Sequence, residues 1–392
     1  MNKKTIRDIA VANNRVLVRV DYNVPLDKAT GKVADSTRIR ASLDTIRYLF
    51  DRKARVILMS HLGRPDGKVV ESARLRPVAE ELSKLIGKPV AMAPDCIGPE
   101  VEKIVADMKA GDVLLLENLR FHPEEEKNNP DFAKELAKLG EIYVNDAFGT
   151  AHRAHASTAG VAAFLPAVSG FLMEAEISNL GKAMQNPKRP FVAATGGAKV
   201  SDKVLILQNL IGKVDKLLVG GGMACTFLKA QGLEIGKSLL EQDRIEDAKQ
   251  IMAAAGAKLV LPEDVIIAER PDASAEAKTV AVDKVPTAMM ILDIGPKTAA
   301  RFAEEIRRAG TVLWNGPMGV FEVPQFAEGT RALVKAMAES NAITVVGGGE
   351  TVTAVQKMGF ADKMTHVSTG GGASLEFLEG RTLPGVAALN DK

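Results

Sequence analysis

Short β-branched runs alternate with longer stretches of helical spacing along the whole of this chain, and that pattern leaves few folds open. In the first half Arg15–Val20, Arg55–Met59, 113–116 and 142–144 read as strands. Between the first two, 38–50 places Ile39, Leu43, Ile46 and Phe50 on one stripe, the spacing of a half-buried helix. Helices are also predicted over 77–86, closing at Gly87, from Pro99 to a stop at Gly111, and from Pro130 to a stop at Gly140. Proline suits a first helical turn, where its missing N–H has no bond to lose, and glycine reaches the left-handed conformation that ends a helix. Strand, helix, strand at this spacing predicts βαβ units on a parallel sheet.

The second half repeats the pattern, with strands predicted at Lys216–Val219, 258–261, 289–292, 311–313 and 343–346. A chain of 392 residues is too long for one ordinary core, so two domains are expected. Residues 171–184 read as a helix that runs into Asn186-Pro187-Lys188-Arg189-Pro190. Its prolines break the helix and stiffen a connector, which sets the domain boundary there.

Charge and composition exclude several classes of function. Lys and Arg number 51 against 49 Asp and Glu, a net +2, whereas nucleic-acid binding needs a dense excess of cations. No stretch approaches the ~20 apolar residues that span a bilayer. The start, Met1 to Asp8, has no apolar leader run. Cys96 and Cys225 are the only cysteines and lie far apart, which excludes a disulfide framework and fits a reducing cytoplasm.

Glycine-rich turns follow strands in the second half: Thr195-Gly196-Gly197-Ala198-Lys199, Gly220-Gly221-Gly222, Gly347-Gly348-Gly349-Glu350 and Thr369-Gly370-Gly371-Gly372. Without Cβ atoms, backbone N–H groups at a helix start can approach an anion closely. Any one such turn is what a tight strand-to-helix connection needs anyway; four in one domain point to a phosphate- or nucleotide-binding face at the carboxyl ends of the strands. No GxGxxG opens a helix, so a dinucleotide site is unsupported. Gly232 to Ser238 falls one residue short of a phosphate-binding loop and reads as an ordinary loop. The pair His152 and His155 has no acidic ligand near it in sequence, so zinc is not expected.

The first half instead sets cations beside turns: Arg38, then His61 and Arg64 after one strand, Arg120 after another, His152 and Arg153 after a third, with Asp21 and Asn23 after the first. A single arginine is usually a solvated charge, but the ends of parallel strands converge, and arginines gathered there would grip a small, highly anionic ligand through bidentate bonds. One domain suited to nucleotide phosphates and another to a second anion suggest phosphoryl transfer, chemistry that depends on positioning, cations and Mg²⁺. A different acyl-phosphate kinase would share the glycine turns without this arginine set. A dehydrogenase would need the absent fingerprint, and a non-catalytic anion-binding module would not need Lys199, Lys203 and Glu350 among the glycines.

The segments Arg19-Val20-Asp21-Tyr22-Asn23-Val24-Pro25, Ser60-His61-Leu62-Gly63-Arg64-Pro65, Glu117-Asn118-Leu119-Arg120-Phe121, Gly149-Thr150-Ala151-His152-Arg153-Ala154-His155, Gly196 through Lys203, Trp314 through Glu322 and Ser368 through Ala373 stand in one order along the chain. In that order they resemble the bacterial phosphoglycerate kinases over the whole length. The resemblance implies an α/β fold of two Rossmann-like parallel-sheet domains, each a three-layer α/β/α sandwich, joined by a helical hinge. It implies a 3-phosphoglycerate-binding domain over 1–170, a connecting helix and hinge over 171–190, a nucleotide-binding domain over 191–373, and a tail, 374–392, returning to the first domain. By matching position, Asp21, Asn23, Arg38, His61, Arg64, Arg120 and Arg153 would hold 3-phosphoglycerate or 1,3-bisphosphoglycerate. Gly197, Ala198, Lys203, Asn315, Pro317, Glu322, Gly348, Gly349, Glu350 and Thr351 would line the ATP/ADP site, with Glu322 reaching the ribose. Lys199 and Arg38 would neutralise the transferring phosphoryl group, helped by backbone N–H groups at Gly349 and Gly372. Glu350 would hold Mg²⁺ as Mg-ATP or Mg-ADP, directly or through water, at a position where many members carry aspartate. A cytoplasmic, hinge-bending monomer of glycolysis, with no nucleic-acid or membrane partner, is the implied setting. The acceptor carboxylate is ionised at neutral pH, so none of the histidines need act as a general base; His122, His155 and His366 are expected to be structural.

Overall fold

The structure, a computed structural model, describes residues 2–392; Met1, the first residue of the Met1 to Asp8 stretch, lies outside them. The chain forms two compact units, one running to Ser178 and taking in Thr382–Lys392, the other Asn179–Arg381. The division falls inside the helix Phe171–Gln185.

The first unit is a six-stranded parallel sheet of β1 (Arg15–Val20), β2 (Arg55–Met59), β3 (Ala91–Met92), β4 (Val113–Leu115), β5 (Ile142–Asp146) and β6 (Ala167–Ser169), in the order β3-β4-β2-β1-β5-β6. Pairing is in register, Val16 beside Val56 and Ile142. Because side chains alternate across a strand, Val16, Val18 and Val20 enter one core with Val56, Leu58, Ile142 and Val144, while Leu17 and Arg19 face the other side. The tail is tied to this unit: Lys4 donates to the Asn390 carbonyl at 2.8 Å and Asn390 to that of Ala167 at 2.9 Å.

In the second unit β7 (Phe191–Thr195), β8 (Lys216–Val219) and β9 (Leu259–Val260) are followed by three strands outside the main sheet, β10 (Asp264–Ala268), β11 (Lys278–Ala281) and β12 (Met290–Ile294). The chain then returns with β13 (Thr311–Asn315), β14 (Ile343–Gly347) and β15 (His366–Val367). The main sheet is parallel, ordered β15-β14-β13-β7-β8-β9. One core, around the fully buried Trp314, joins Val192, Ala194, Val312 and Val346 to Phe302 and Ile306 of the helix Pro296–Arg308 and Leu333 and Met337 of the helix Glu328–Glu339. Among the described residues no helix is long and apolar enough to cross a membrane.

Some expectations need correction. The strand read at 289–292 does exist, as β12, but it pairs antiparallel with β10 in a separate sheet ordered β11-β10-β12. A short apolar run shows that a strand forms, not which partner it takes. The helix read at 38–50 is two, Thr37–Ala41 and Leu43–Asp51, because Ser42 Oγ donates to the Ile39 carbonyl at 2.9 Å and competes with the helical ladder. The helix opened by Pro99 ends at Asp107 with extended Met108, short of the expected stop at Gly111. Gly232 to Ser238 is a loop, as read.

Candidate functional site

In both units the strand order reverses at two neighbouring strands, β1 and β5 in the first, β7 and β13 in the second. The loops leaving two such strands at their carboxyl ends diverge to opposite sides and leave a crevice, the usual ligand position in an open α/β sheet.

In the first unit the loops after β1, β2, β4 and β5 carry the arginine set. After β1, Asp21 Oδ2 accepts from Arg38 at 2.9 Å, and Asn23 Oδ1 accepts from the Gly63 N–H at 2.9 Å, joining the loops after β1 and β2. Arg120, buried, donates to the Gly63 carbonyl at 3.0 Å and pairs with Glu126 at 3.2 Å. Arg153 Nε donates to His152 Nε2 at 3.2 Å. His61 has its pKa driven well below the ordinary histidine value, first by burial and then by the positive charges of Arg19, Arg120, Arg38 and Arg153. His155 is pushed down to about 4, first by burial and then chiefly by Arg120 and Arg19. Arg38, Arg120 and Arg153 thus converge on one locus with His61. Arg64, exposed, lines a 480 Å³ cavity together with Asn23 and Gly63.

Sequence reading gave no role to Arg19, which is buried and bonds His61 and Ser157, or to Glu125, buried beneath them. An arginine between Val18 and Val20, inside the buried part of the strand, is the signal that could have found it, since such a charge must have partners. His122 is structural as expected, its Nε2 2.7 Å from Asp95 Oδ1.

In the second unit a 400 Å³ cavity sits over the ends of β7, β13 and β14. Its lining brings together Gly197, Ala198, Lys199, Lys203, Asn315, Gly348, Gly349, Glu350 and Thr351 of the expected set, and adds Gly196, Asp202, Gly316 and Leu375. Pro317, Glu322 and Gly372 are not among the lining residues; Glu322 is exposed on the turn beyond Gly319. Gly372 opens the helix Gly372–Leu378, which contributes Leu375.

Close backbone approach explains the glycines. A Cβ on Gly196 would stand 2.1 Å from the Pro317 carbonyl oxygen, and Gly316, at φ +101°, has its own Cβ position 2.2 Å from the Gly196 oxygen. Thr351 is spent on the same junction, its Oγ1 accepting from the Gly316 N–H at 2.6 Å. Asn315 is the exception to this economy. It is buried, yet neither Oδ1 nor Nδ2 has a hydrogen-bond partner. Buried amides are nearly always satisfied, so an unpaired one in a cavity wall leaves both its donor and its acceptor open to a molecule entering the cavity, water included.

Lys203 stands among these loops with its pKa lowered to about 8, chiefly by burial, which Asp202 and Glu350 partly offset. Its ammonium is present below that pH and lost above it, so affinity for a nucleotide phosphate should fall as pH rises past about 8. Nucleotide kcat/KM, which reports the free enzyme, should decline there by up to about tenfold per pH unit. Lys203→Arg should hold it level, and an unchanged profile in both proteins would remove Lys203 from the phosphate site.

Comparisons with known proteins point the same way. A family model described as phosphoglycerate kinase matches residues 6–381. The phosphoglycerate kinase of Moorella thermoacetica is 59% identical over 395 residues, spanning 100% of both chains. That of Chloroflexus aurantiacus is 59% identical over 399 residues, again with 100% of both covered. The solved phosphoglycerate kinase structure from Coxiella burnetii matches with a TM-score of 0.91 at 44% identity, and covers 98% of each chain. The one from Pyrococcus horikoshii matches at 0.85 and 35%, with 98% of each chain covered. A match of this extent, on a fold with a glycine-lined cavity in one unit and converging arginines in the other, means that the chain belongs to the phosphoglycerate kinase family.

Proposed function

We propose that this kinase transfers the γ-phosphoryl group of ATP to the carboxylate of 3-phosphoglycerate, and in reverse returns it from 1,3-bisphosphoglycerate to ADP. The observation that most supports this reading in the chain's own residues is the unpaired, buried Asn315 amide in a wall of glycine loops. Residues 1–170 serve the 3-phosphoglycerate end through Asp21, Asn23, Arg38, His61, Arg64, Arg120 and Arg153. Residues 191–373 serve the nucleotide through Gly197, Ala198, Lys203, Asn315, Pro317, Glu322, Gly348, Gly349, Glu350 and Thr351. Bending within 171–190 brings the two ligands together, and the tail returns to the first domain from Thr382 on.

A carboxylate oxygen attacks the γ-phosphorus, the bond to the β,γ-bridging oxygen breaks, and ADP leaves with that electron pair. No proton moves at the acceptor. Arg38 and Lys199, with the N–H groups at Gly349 and Gly372, meet the charge that spreads over the moving oxygens. The carboxylates of Asp202 and Glu350 line the same cavity as Lys203, a donor set that fits Mg²⁺ carried on the nucleotide. When bound, the ion neutralises phosphate charge. We place the enzyme in the cytoplasm as a monomer.

The test is ADP release from ATP with 3-phosphoglycerate or acetate as acceptor. Release should depend on 3-phosphoglycerate and be negligible with acetate; the reverse preference would exclude the arginine site. In calorimetry, 3-phosphoglycerate affinity should fall as salt rises and fall further in Arg64→Ala. Binding that ignores both would take Arg64 out of the site.

A further inference from the structure

Arg19 and Glu125 are buried beside the arginine locus, and neither is among the residues proposed to hold a ligand. Arg19 leaves β1 on the face opposite Val18 and Val20 and is almost fully buried, which for a guanidinium demands partners at every side. It has three. Nε donates to Ser157 Oγ at 2.9 Å, one terminal nitrogen donates to the Val20 carbonyl, and the other lies 3.1 Å from His61 Nδ1. Ser157 passes the interaction on. Its hydroxyl donates to Glu125 Oε1 at 2.5 Å while its N–H donates to Oε2 at 2.9 Å. Glu125 is itself fully buried, and His155 Nδ1 stands 3.9 Å from it.

The chemistry of the guanidinium decides what this does to His61. Arginine has only donors, so His61 Nδ1 must accept, and an imidazole that accepts at Nδ1 carries its proton on Nε2. Nε2 makes no bond within the protein among the described residues. The ring is therefore a neutral donor of fixed direction set among Arg38, Arg120 and Arg153. Those charges and burial keep it from titrating, in accord with the geometry.

We propose that Arg19 and Glu125, linked through Ser157, are positioning residues that lock His61 in its Nε2–H form, so that it presents one hydrogen-bond donor to the substrate anion at every working pH. Glu125 supplies the counter-charge that lets Arg19 stay buried in that orientation; Ser157 holds the two in line. The inference rests on the reading that His61 contacts 3-phosphoglycerate.

The experiment is ¹⁵N NMR of the histidine side chains in the full-length protein, with His61 assigned by His61→Gln, alongside steady-state kinetics. Wild type should show His61 in the Nε2–H tautomer without titration across neutral pH. Glu125→Gln keeps the shape and removes the charge; it should mix the tautomers and raise the KM for 3-phosphoglycerate about tenfold, the size of a lost hydrogen bond to a charged group, with nucleotide KM unchanged. Glu125→Asp should restore part of both effects. A wild-type His61 that carries its proton on Nδ1, or that titrates near neutrality, overturns the lock and leaves the substrate site standing; this holds even if Glu125→Gln does not fold. A tautomer unchanged in a folded Glu125→Gln overturns it equally. A tautomer that mixes while the KM for 3-phosphoglycerate stays constant overturns the contact of His61 with substrate, and the proposal with it.

Discussion

Lys199→Ala should bind nucleotide normally and turn over about 10²–10³ times more slowly, the loss expected when one charge-stabilising donor is removed from a transition state. The reason lies in where Lys199 stands. It is exposed at the rim of the nucleotide cavity, two residues beyond Gly197, whereas Lys203 lies deeper, partly buried. A lysine that meets the phosphoryl group only as charge spreads during transfer affects kcat, while one that holds the bound phosphates affects KM. Lys203→Ala should accordingly raise the KM for ATP. If both variants changed KM alone, Lys199 would be a binding residue and its catalytic role would fail. If neither constant moved, Lys199 would be a solvated side chain beside a glycine turn.

The second large effect is expected at Gly196→Ala. Its methyl group would need the space already held by the Pro317 and Gly316 carbonyl oxygens, at 2.1 and 2.9 Å, and both are backbone atoms that cannot rotate away. The loops after β7 and β13 would have to part, and both line the cavity. Overpacking of this kind costs about 1–3 kcal/mol of stability, and the displaced Asn315 and Gly197 should weaken nucleotide binding by about tenfold or more for each 1.4 kcal/mol lost there. Gly212→Ala is the control, since no atom lies within 4 Å of its Cβ position and its φ is −71°. Chemical denaturation and nucleotide titration of the two variants measure both quantities. Equal behaviour would mean that the glycine serves only the turn.

Much of this architecture was legible in the residues. Proline-opened and glycine-closed helices between β-branched runs left little alternative to parallel sheets, and Arg15–Val20, Arg55–Met59 and Lys216–Val219 were read at their observed bounds. The glycine turns stand out in the sequence because several follow strands in one domain, and those after β7, β13 and β14 line one cavity. Three-dimensional pairing was not legible. Nothing in 289–292 distinguishes a strand of the main sheet from β12, whose partner β10 is chosen by the chain reversal before it. Ser42 looked like one more helical residue, and only its bond to the Ile39 carbonyl reveals the break. Arg19 and Glu125 are not legible because Arg19 meets Ser157 and His61 only when β1 pairs with β5 and β2, and Glu125 meets Ser157 only once the loop after β5 folds.

The central claim is that phosphate is passed to a carboxylate. An acyl phosphate reacts with hydroxylamine to give a hydroxamate, whereas a phosphate ester on a hydroxyl group does not. The enzyme incubated with Mg²⁺, ATP, 3-phosphoglycerate and hydroxylamine should therefore release ADP and hydroxamate in equal amounts, and no hydroxamate should form when 3-phosphoglycerate is omitted. ADP release without hydroxamate, with a second phosphate ester found on the glycerate by ³¹P NMR, would contradict the account.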